Sequence, residues 1–402
     1  MPITVAFTSI AANYLPKARV LAQSLKQVAP EAHFCLMLVD EAPPDFSLNS
    51  EPFDSVLSLN DLGLENPRAW AFSHSLVELC TAVKGLATRR LLEGAGVERV
   101  FYFDPDMVLF DRFEELEREL AQTSILLTPH QSEPEADLEA IMDNEMASLK
   151  HGVFNMGFFG VANTPEGLRF AEWWSERLEH FCLDDIGRGL FTDQKWANLI
   201  PCFFEDYRVI RSPAFNVATW NITTRRVQGS MRSGFTVNGE PMGFYHFSGF
   251  DSGDQALMLN KYGAGSAALR ELREWYISAC QKAGQDDLTG MPYGYALFSN
   301  GEVISPAHRR LYRNRIDLQQ AFKDPFLTGS GENYWEWYRQ NVGDPSRNDE
   351  AFAIDISTPT SKALRDMSSW LSQRAHLHPR GFKRAILSGL SRLLRLFSRG
   401  AS

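Results

Sequence analysis

Asp104-Pro105-Asp106 ends the apolar run Val100-Phe101-Tyr102-Phe103. A buried strand that stops on two carboxylates presents both at the carboxyl edge of its sheet, where open α/β sheets bind ligands. Two hard oxygen ligands one residue apart suit a divalent cation that also holds phosphate oxygens. Three chemistries share that requirement: group transfer from a nucleotide diphosphate, metal-dependent phosphohydrolysis or nucleotidyl transfer, and nucleotide or glycan binding without turnover. A phosphatase that uses the first Asp as nucleophile carries this motif on its first strand. Here a full strand–helix–strand region precedes it. A solvated surface turn is disfavoured because Met107-Val108-Leu109-Phe110 makes the far flank apolar as well.

Other residues have types and places that suit a site. Asn155 lies within the apolar stretch Val153-Phe154-Asn155-Met156-Gly157-Phe158-Phe159-Gly160-Val161. An unpaired amide there costs about 1–3 kcal/mol, so it bonds to backbone or faces a ligand. Asp193 and Gln194 open a helix for which Thr192 is the expected N-cap, although an acid in a first turn also suits the helix dipole. His246, between Tyr245 and Phe247, is either a core histidine or a ligand poised before the Ser248-Gly249 turn. Thr8 and Ser9 end the first strand, Asp40 ends the second, and Tyr14 has a ring that can pack on a base. Each of these serves equally as a cap or core residue. Lys84, on an apolar helix face, is a partner for phosphate or aspartate, or a lysine whose stem lies on apolar surface.

The elements that position these residues follow from periodicity. Residues 3–9 and 34–39 read as strands, and Tyr14, Leu15, Ala18, Leu21, Ala22, Leu25 and Val28 recur at helical spacing until Pro30. A second helix covers residues 74–92, and Gly94 and Gly96 break the chain before the Asp104 strand. Further strands are expected at 124–128, 153–161, 209–210, 215–220 and 244–247, with a helical segment at 135–149 and a helix carrying Leu168, Phe170, Trp173, Trp174, Leu178 and Phe181. Alternation of this kind implies an α/β fold, with a mostly parallel sheet and crossover helices. The expected divisions are a catalytic domain over 1–253, a helical accessory region over 254–343, a polar linker over 344–380 and a basic amphipathic helix over 381–399.

The 402 residues are 44% apolar, ordinary for a globular chain. No stretch approaches the roughly 20 continuous apolar residues of a membrane span, and Met1-Pro2-Ile3-Thr4-Val5 reads as a strand, not a signal peptide. Five scattered cysteines without CxxC spacing suggest reduced thiols in a cytoplasmic setting. The chain carries −10, while Leu371 to Ser402 holds seven basic residues and no acidic one, so residues 1–370 carry −17. An acidic body argues against nucleic acid as partner. The tail places Phe382, Ile386, Leu390, Leu393, Leu394 and Phe397 at helical spacing among Lys383, Arg384, Arg392, Arg395 and Arg399. Such a helix suits an anionic membrane surface, here the inner face of the cytoplasmic membrane, or packs on the acidic body.

The order of motifs resembles GT-A-fold glycosyltransferases, with a layout similar to glycosyltransferase family 8. The shared pieces are Asn13-Tyr14-Leu15, the DxD at Asp104–Asp106, Phe154-Asn155-Met156-Gly157, Asp193-Gln194 and His246-Phe247-Ser248-Gly249, spanning residues 3–250. The resemblance implies a Rossmann-like mixed, mostly parallel sheet flanked by helices, with a helical C-terminal extension. It implies Mn²⁺ or Mg²⁺ held by Asp104, Asp106 and His246, with Asp104 also near the ribose. The donor is then bound by Thr8, Ser9, Tyr14, Asp40, Lys84, Asp104 and Asn155. Asp193 would bond donor-sugar hydroxyls, and Gln194 would lie near the anomeric carbon opposite the leaving group. The implied activity is hexosyl transfer from a nucleotide sugar, UDP-sugar favoured, to a glycan or lipid-linked glycan in surface polysaccharide assembly, with retention. One departure stands out: the family carries a pyrophosphate-gripping lysine after HFxG, whereas Phe250-Asp251-Ser252-Gly253-Asp254 follows here. Lys195 and Lys84 are the alternative cations.

Overall fold

A computed structural model describes residues 3–329 and 331–342. The linker 344–380 and the basic segment 381–399 lie outside the described residues. Seven strands form the main sheet: β1 (Ile3–Ile10), β2 (His33–Leu38), β3 (Ser55–Leu57), β4 (Val97–Phe103), β6 (Ile125–Pro129), β7 (Phe154–Ala162) and β10 (Tyr207–Val209). Their spatial order is β10-β6-β7-β4-β1-β2-β3. Pairs β1–β2, β1–β4, β2–β3 and β6–β10 are parallel, and β7 runs antiparallel to both β4 and β6. The sheet is therefore mixed and mostly parallel, as expected. Every residue of β7 is buried, which explains its unbroken apolar text: a central strand covered on both faces has no solvent side to alternate with.

Helices cover both faces. On one, the helices Leu76–Leu92 and Pro165–Phe181 cross so closely that a Cβ on Gly85 would stand 2.8 Å from the Ser175 Cα. On the other, the helices Leu15–Val28 and Phe113–Leu120 pack on Phe34, Phe101, Phe103 and Phe158. Ser75 caps the helix Leu76–Leu92 through a capping box with Glu78. Residues 254–342 are helical where regular, and they join the body in two aromatic clusters. Tyr276 and Phe247 stack at 3.8 Å in one, and Phe72 meets Tyr312, Phe326 and Tyr334 in the other.

Three small sheets complete the body: β5 (Met107–Leu109) with β14 (Phe244–His246), β8 (Leu183–Asp185) with β9 (Leu190–Thr192), and β11 (Val227–Ser230) through β12 (Gly234–Val237) to β13 (Glu240–Pro241). The expected strand over 215–220 is instead turn, with only Val217 bridging Tyr245. Thr192 is not an N-cap. It ends β9 at φ +43°, a left-handed conformation that its branched Cβ disfavours, and Asp193 caps the short helix Gln194–Ala197 without a side-chain bond. The helical stretch over 138–151 contains a π-helical turn, Ile141–Glu145. Such turns are frequent at functional sites.

Candidate active site

The two carboxylates are presented by the end of β4, locked to its neighbours. The Asp104 amide donates to the Gly157 carbonyl of β7 at 2.7 Å, and the Met107 amide closes a turn on the Asp104 carbonyl at 3.0 Å. The chain leaves that turn as β5 and pairs with β14, His246 opposite Met107, while the Phe247 amide donates to the Asp106 carbonyl at 2.8 Å. This small antiparallel pair delivers a histidine 140 residues downstream to the DxD turn.

Asp104, Asp106 and His246 each offer one ligand atom, and these atoms all lie within 4.8 Å of one another. His246 Nε2 is 3.1 Å from Asp106 Oδ1 and 3.8 Å from Asp104 Oδ2. Burial works against both charges, yet the mutual attraction wins: Asp106 titrates below the usual carboxylate range and His246 above the usual imidazole range. Gly157 forms the floor. A Cβ there would stand 2.6 Å from Asp104 Oδ2, 2.8 Å from His246 Cε1 and 2.9 Å from Asn155 Oδ1. The space above this glycine is a cradle bounded by the Asp104 carboxylate, the His246 imidazole and the Asn155 amide oxygen, and with Asp106 they make a hard oxygen-and-nitrogen donor set that fits a divalent cation such as Mn²⁺ or Mg²⁺.

Beside the cradle, Lys84 is 3% exposed and joins two carboxylates, Asp104 at 3.2 Å and Asp193 at 3.0 Å, while also donating to the Met156 carbonyl at 3.0 Å. Burial opposes its charge, but Asp104 and Asp193 outweigh that and hold the ammonium well above the ordinary lysine range. Tyr102 donates to Asp104 Oδ1 at 2.8 Å and lies 3.1 Å from the Ser9 hydroxyl, which donates to the Cys80 carbonyl. Asn155 turns its amide nitrogen to His130 Nε2 at 3.2 Å and Gln194 Oε1 at 3.4 Å. Its Oδ1 is buried, has no protein partner and adjoins Asp104 Oδ2 over Gly157. Gln194 Oε1 also accepts from the Met156 amide, and its nitrogen donates to the His151 carbonyl.

Lys84, Asp104, Asn155, Asp193, Gln194 and His246 line a cavity of about 420 Å³, whereas Asp106 lines neither this cavity nor its neighbour. A second, of about 170 Å³, is lined by Ser9, Asn13, Tyr14 and Asp104. Both share Val77, Thr81 and Asp104, so they form one cleft in two parts. Thr8 and Asp40 line neither part. Thr8 is fully buried in the sheet, and Asp40 Oδ1 accepts from the Glu41 and Gly294 amides at 2.9 Å, on the wall of another cavity with Arg68 and Tyr295. Lys195 donates to the Leu149 and Lys150 carbonyls and is not among the residues lining either part.

Sequence reasoning passed over His130, Trp220 and Tyr102. His130 follows directly on β6, a strand-end position that flags it in retrospect, and Trp220 meets the His246 ring edge-on at 5.2 Å. Tyr102 was hidden by reading as one more aromatic of an apolar run.

No protein-family model matches the chain. Two uncharacterized proteins of Bacillus subtilis (strain 168) are similar to it. YfnD is 25% identical over 248 residues, 60% of this chain and 76% of that protein, and YfnF is 26% identical over 254 residues, 60% and 80% respectively. Among solved structures, it is similar to the galactosyltransferase LgtC in complex with donor and acceptor sugar analogues (14% identity, 70% of this chain and 96% of that one, TM-score 0.37). It is also similar to mouse xyloside xylosyltransferase 1 (16%, 61% and 97%, TM-score 0.37) and to the glycosyltransferase GlyE of Streptococcus pneumoniae TIGR4 (14%, 74% and 67%, TM-score 0.41). With TM-scores below 0.5, these likenesses leave the side chains of the cleft to decide what the chain does.

Proposed function

We propose that this chain is a metal-dependent glycosyltransferase that moves a sugar from a nucleotide diphosphate, a UDP-sugar by preference, to a glycan or lipid-linked glycan acceptor in surface polysaccharide assembly. The observation that carries this reading is the convergence of Asp104, Asp106 and His246, with ligand atoms within 4.8 Å of one another, beside a two-part cleft to which Asp104 is common. A bound Mn²⁺ or Mg²⁺ would supply Lewis-acid neutralisation of the diphosphate that departs. The chain's own residues do the positioning. Ser9 and Tyr14 flank the smaller chamber, which suits a nucleoside. Asp193, held by Lys84 and the Thr192 hydroxyl, and the unpartnered Asn155 Oδ1 present acceptors to sugar hydroxyls in the larger one. Gln194 keeps both amide atoms on protein partners and so fixes the wall opposite. Transfer with retention would have the acceptor hydroxyl attack from the leaving-group side.

Incubation with a panel of nucleotide sugars and Mn²⁺ tests the reading through release of the nucleoside diphosphate. Slow release from one donor, lost in Asp106→Ala, is the expected result. Phosphate release from simple phosphoesters would replace the transferase with a hydrolase, and donor binding with no turnover on any acceptor would leave a silent binding module. Among the described residues no helix is long and apolar enough to cross a membrane. Contact with an anionic inner-membrane surface is assigned to residues 381–399 on their sequence. Anionic liposomes that retain the full chain but not a chain ending at residue 380 would support that assignment, and equal retention would end it.

A further inference from the structure

Lys17, on the first turn of the helix Leu15–Val28, is 2% exposed, an unusual place for an ammonium group. It pairs with Asp251, whose side chain remains 46% exposed, and sits 4.1 Å from the Tyr14 ring centroid. Tyr14 donates its hydroxyl to the same Asp251 carboxylate at 2.5 Å. Asp251 lies five residues beyond His246, in the segment that follows β14. The group adjoins the smaller chamber through Tyr14, which lines it together with Asp104, while Lys17 and Asp251 themselves line neither part of the cleft.

We infer that Lys17 is the cation that receives the donor diphosphate, and that Asp251 occupies its place until the diphosphate displaces it. The inference rests on the donor reading of the cleft. Lys84 is already shared between Asp104 and Asp193, and Lys195 is committed to two backbone carbonyls. Lys17, by contrast, has a carboxylate partner that is half in solvent and carried by a loop. A buried cation needs an anion beside it, and losing the partner is costly. A diphosphate oxygen can meet that need as well as a carboxylate does, provided that the carboxylate withdraws toward water. The lysine missing after His246 is in this way replaced from the other end of the chain.

Such an exchange makes a prediction of opposite sign for the two partners. Calorimetric titration of UDP, GDP and ADP into the full chain with Mn²⁺ supplies the readout, with inorganic pyrophosphate as the probe that lacks a nucleoside. Asp251→Asn removes the competitor and leaves Lys17 short of an anion, so it should bind the nucleoside diphosphate and pyrophosphate about tenfold more tightly. The same variant should melt at a lower temperature when free and recover more than the wild type on saturation. Lys17→Met should weaken both ligands at least about tenfold, and Lys17→Arg should restore most of the loss. An Asp251→Asn protein that binds pyrophosphate no better than the wild type, or worse, overturns the exchange even if Lys17→Met fails to fold. If the wild type itself binds no nucleoside diphosphate with Mn²⁺, the donor reading falls and takes this inference with it.

Discussion

Gly157→Ala is the smallest change that should separate the site from the scaffold. Its new methyl group would stand 2.6 Å from Asp104 Oδ2, 2.8 Å from His246 Cε1 and 2.9 Å from Asn155 Oδ1, where ordinary contact begins at 3.4 Å. Each of the three neighbours must therefore yield by about 0.5–0.8 Å, and none is the free end of a flexible chain. Asp104 is held through its amide by the Gly157 carbonyl and through Oδ1 by Tyr102 and Lys84. His246 is held by the β14–β5 pairing and by its own amide on the Val217 carbonyl. A misplacement approaching 1 Å costs on the order of 10²-fold in rate, and overpacking costs about 1–3 kcal/mol of stability.

Gly160→Ala on the same strand provides the control. Its methyl would meet Phe101 at 2.9 and 3.0 Å and Leu120 at 3.1 Å, a similar crowding directed at the core. Both variants should lose comparable stability in urea titrations. Only Gly157→Ala should lose Mn²⁺ affinity, by at least about tenfold as read from free Mn²⁺ by electron paramagnetic resonance, and donor turnover by about 10²-fold. Two variants with equal Mn²⁺ affinity would refute the cradle, whichever way their stabilities fall.

Lys84→Met removes the cation between Asp104 and Asp193 and leaves two carboxylates facing across about the width of one side chain. Breaking a buried pair of this kind costs about 3–5 kcal/mol, so the melting temperature should fall by at least about 5 °C; a shift below 1 °C would show that the ion pair is dispensable. Acid should destabilise the chain before its carboxylates titrate. His74 is fully buried and His130 half-buried, and both are held neutral, mainly by burial, at about 4. In the unfolded chain they protonate near about 6.5, so the unfolded state binds more protons as pH falls from there toward 4. Stability is fully present above pH 6.5 and drops by about 2 kcal/mol per histidine at pH 5. His246, raised instead of lowered, works in the opposite direction. Urea midpoints that match at pH 8 and pH 5 would contradict the burial of both histidines.

What the sequence made legible was what burial writes into it. β4 and β7 read as apolar runs because both faces of a central strand are covered, and the acids that end β4 stand out against them. The helix Leu76–Leu92 showed its apolar stripe, while its capping box emerged only in the structure. Residues 215–220 read as a strand for the same reason, being buried, yet they fold as a turn because Asn221 gathers the backbone of Asn216, Ala218 and His130 through its side chain. Thr192 looked like an N-cap by residue type, but its backbone is turned left-handed to aim Asp193 at Lys84. The union of Lys17 with Asp251 spans 234 residues and has no periodicity to betray it. Strand ends announce a site's acids. Which cation answers each one depends on the crossing of elements far apart in the chain.

Charge balance ties these pieces together. Asp104 and Asp193 line the cleft, and Asp106 and Asp251 adjoin it through His246 and Tyr14, against Lys84 and Lys17. Lys84 already serves two of the four and Lys17 one, so Asp106 is left to His246. In a partly buried site with a low effective dielectric, a diphosphate that arrives alone meets carboxylates at close range and is repelled. On the proposed reading, a divalent cation in the cradle would reverse that sign, and release of Lys17 from Asp251 would add a second positive partner. Metal and donor would then strengthen each other's binding by the same factor, so that neither cation nor diphosphate would be well accommodated without the other.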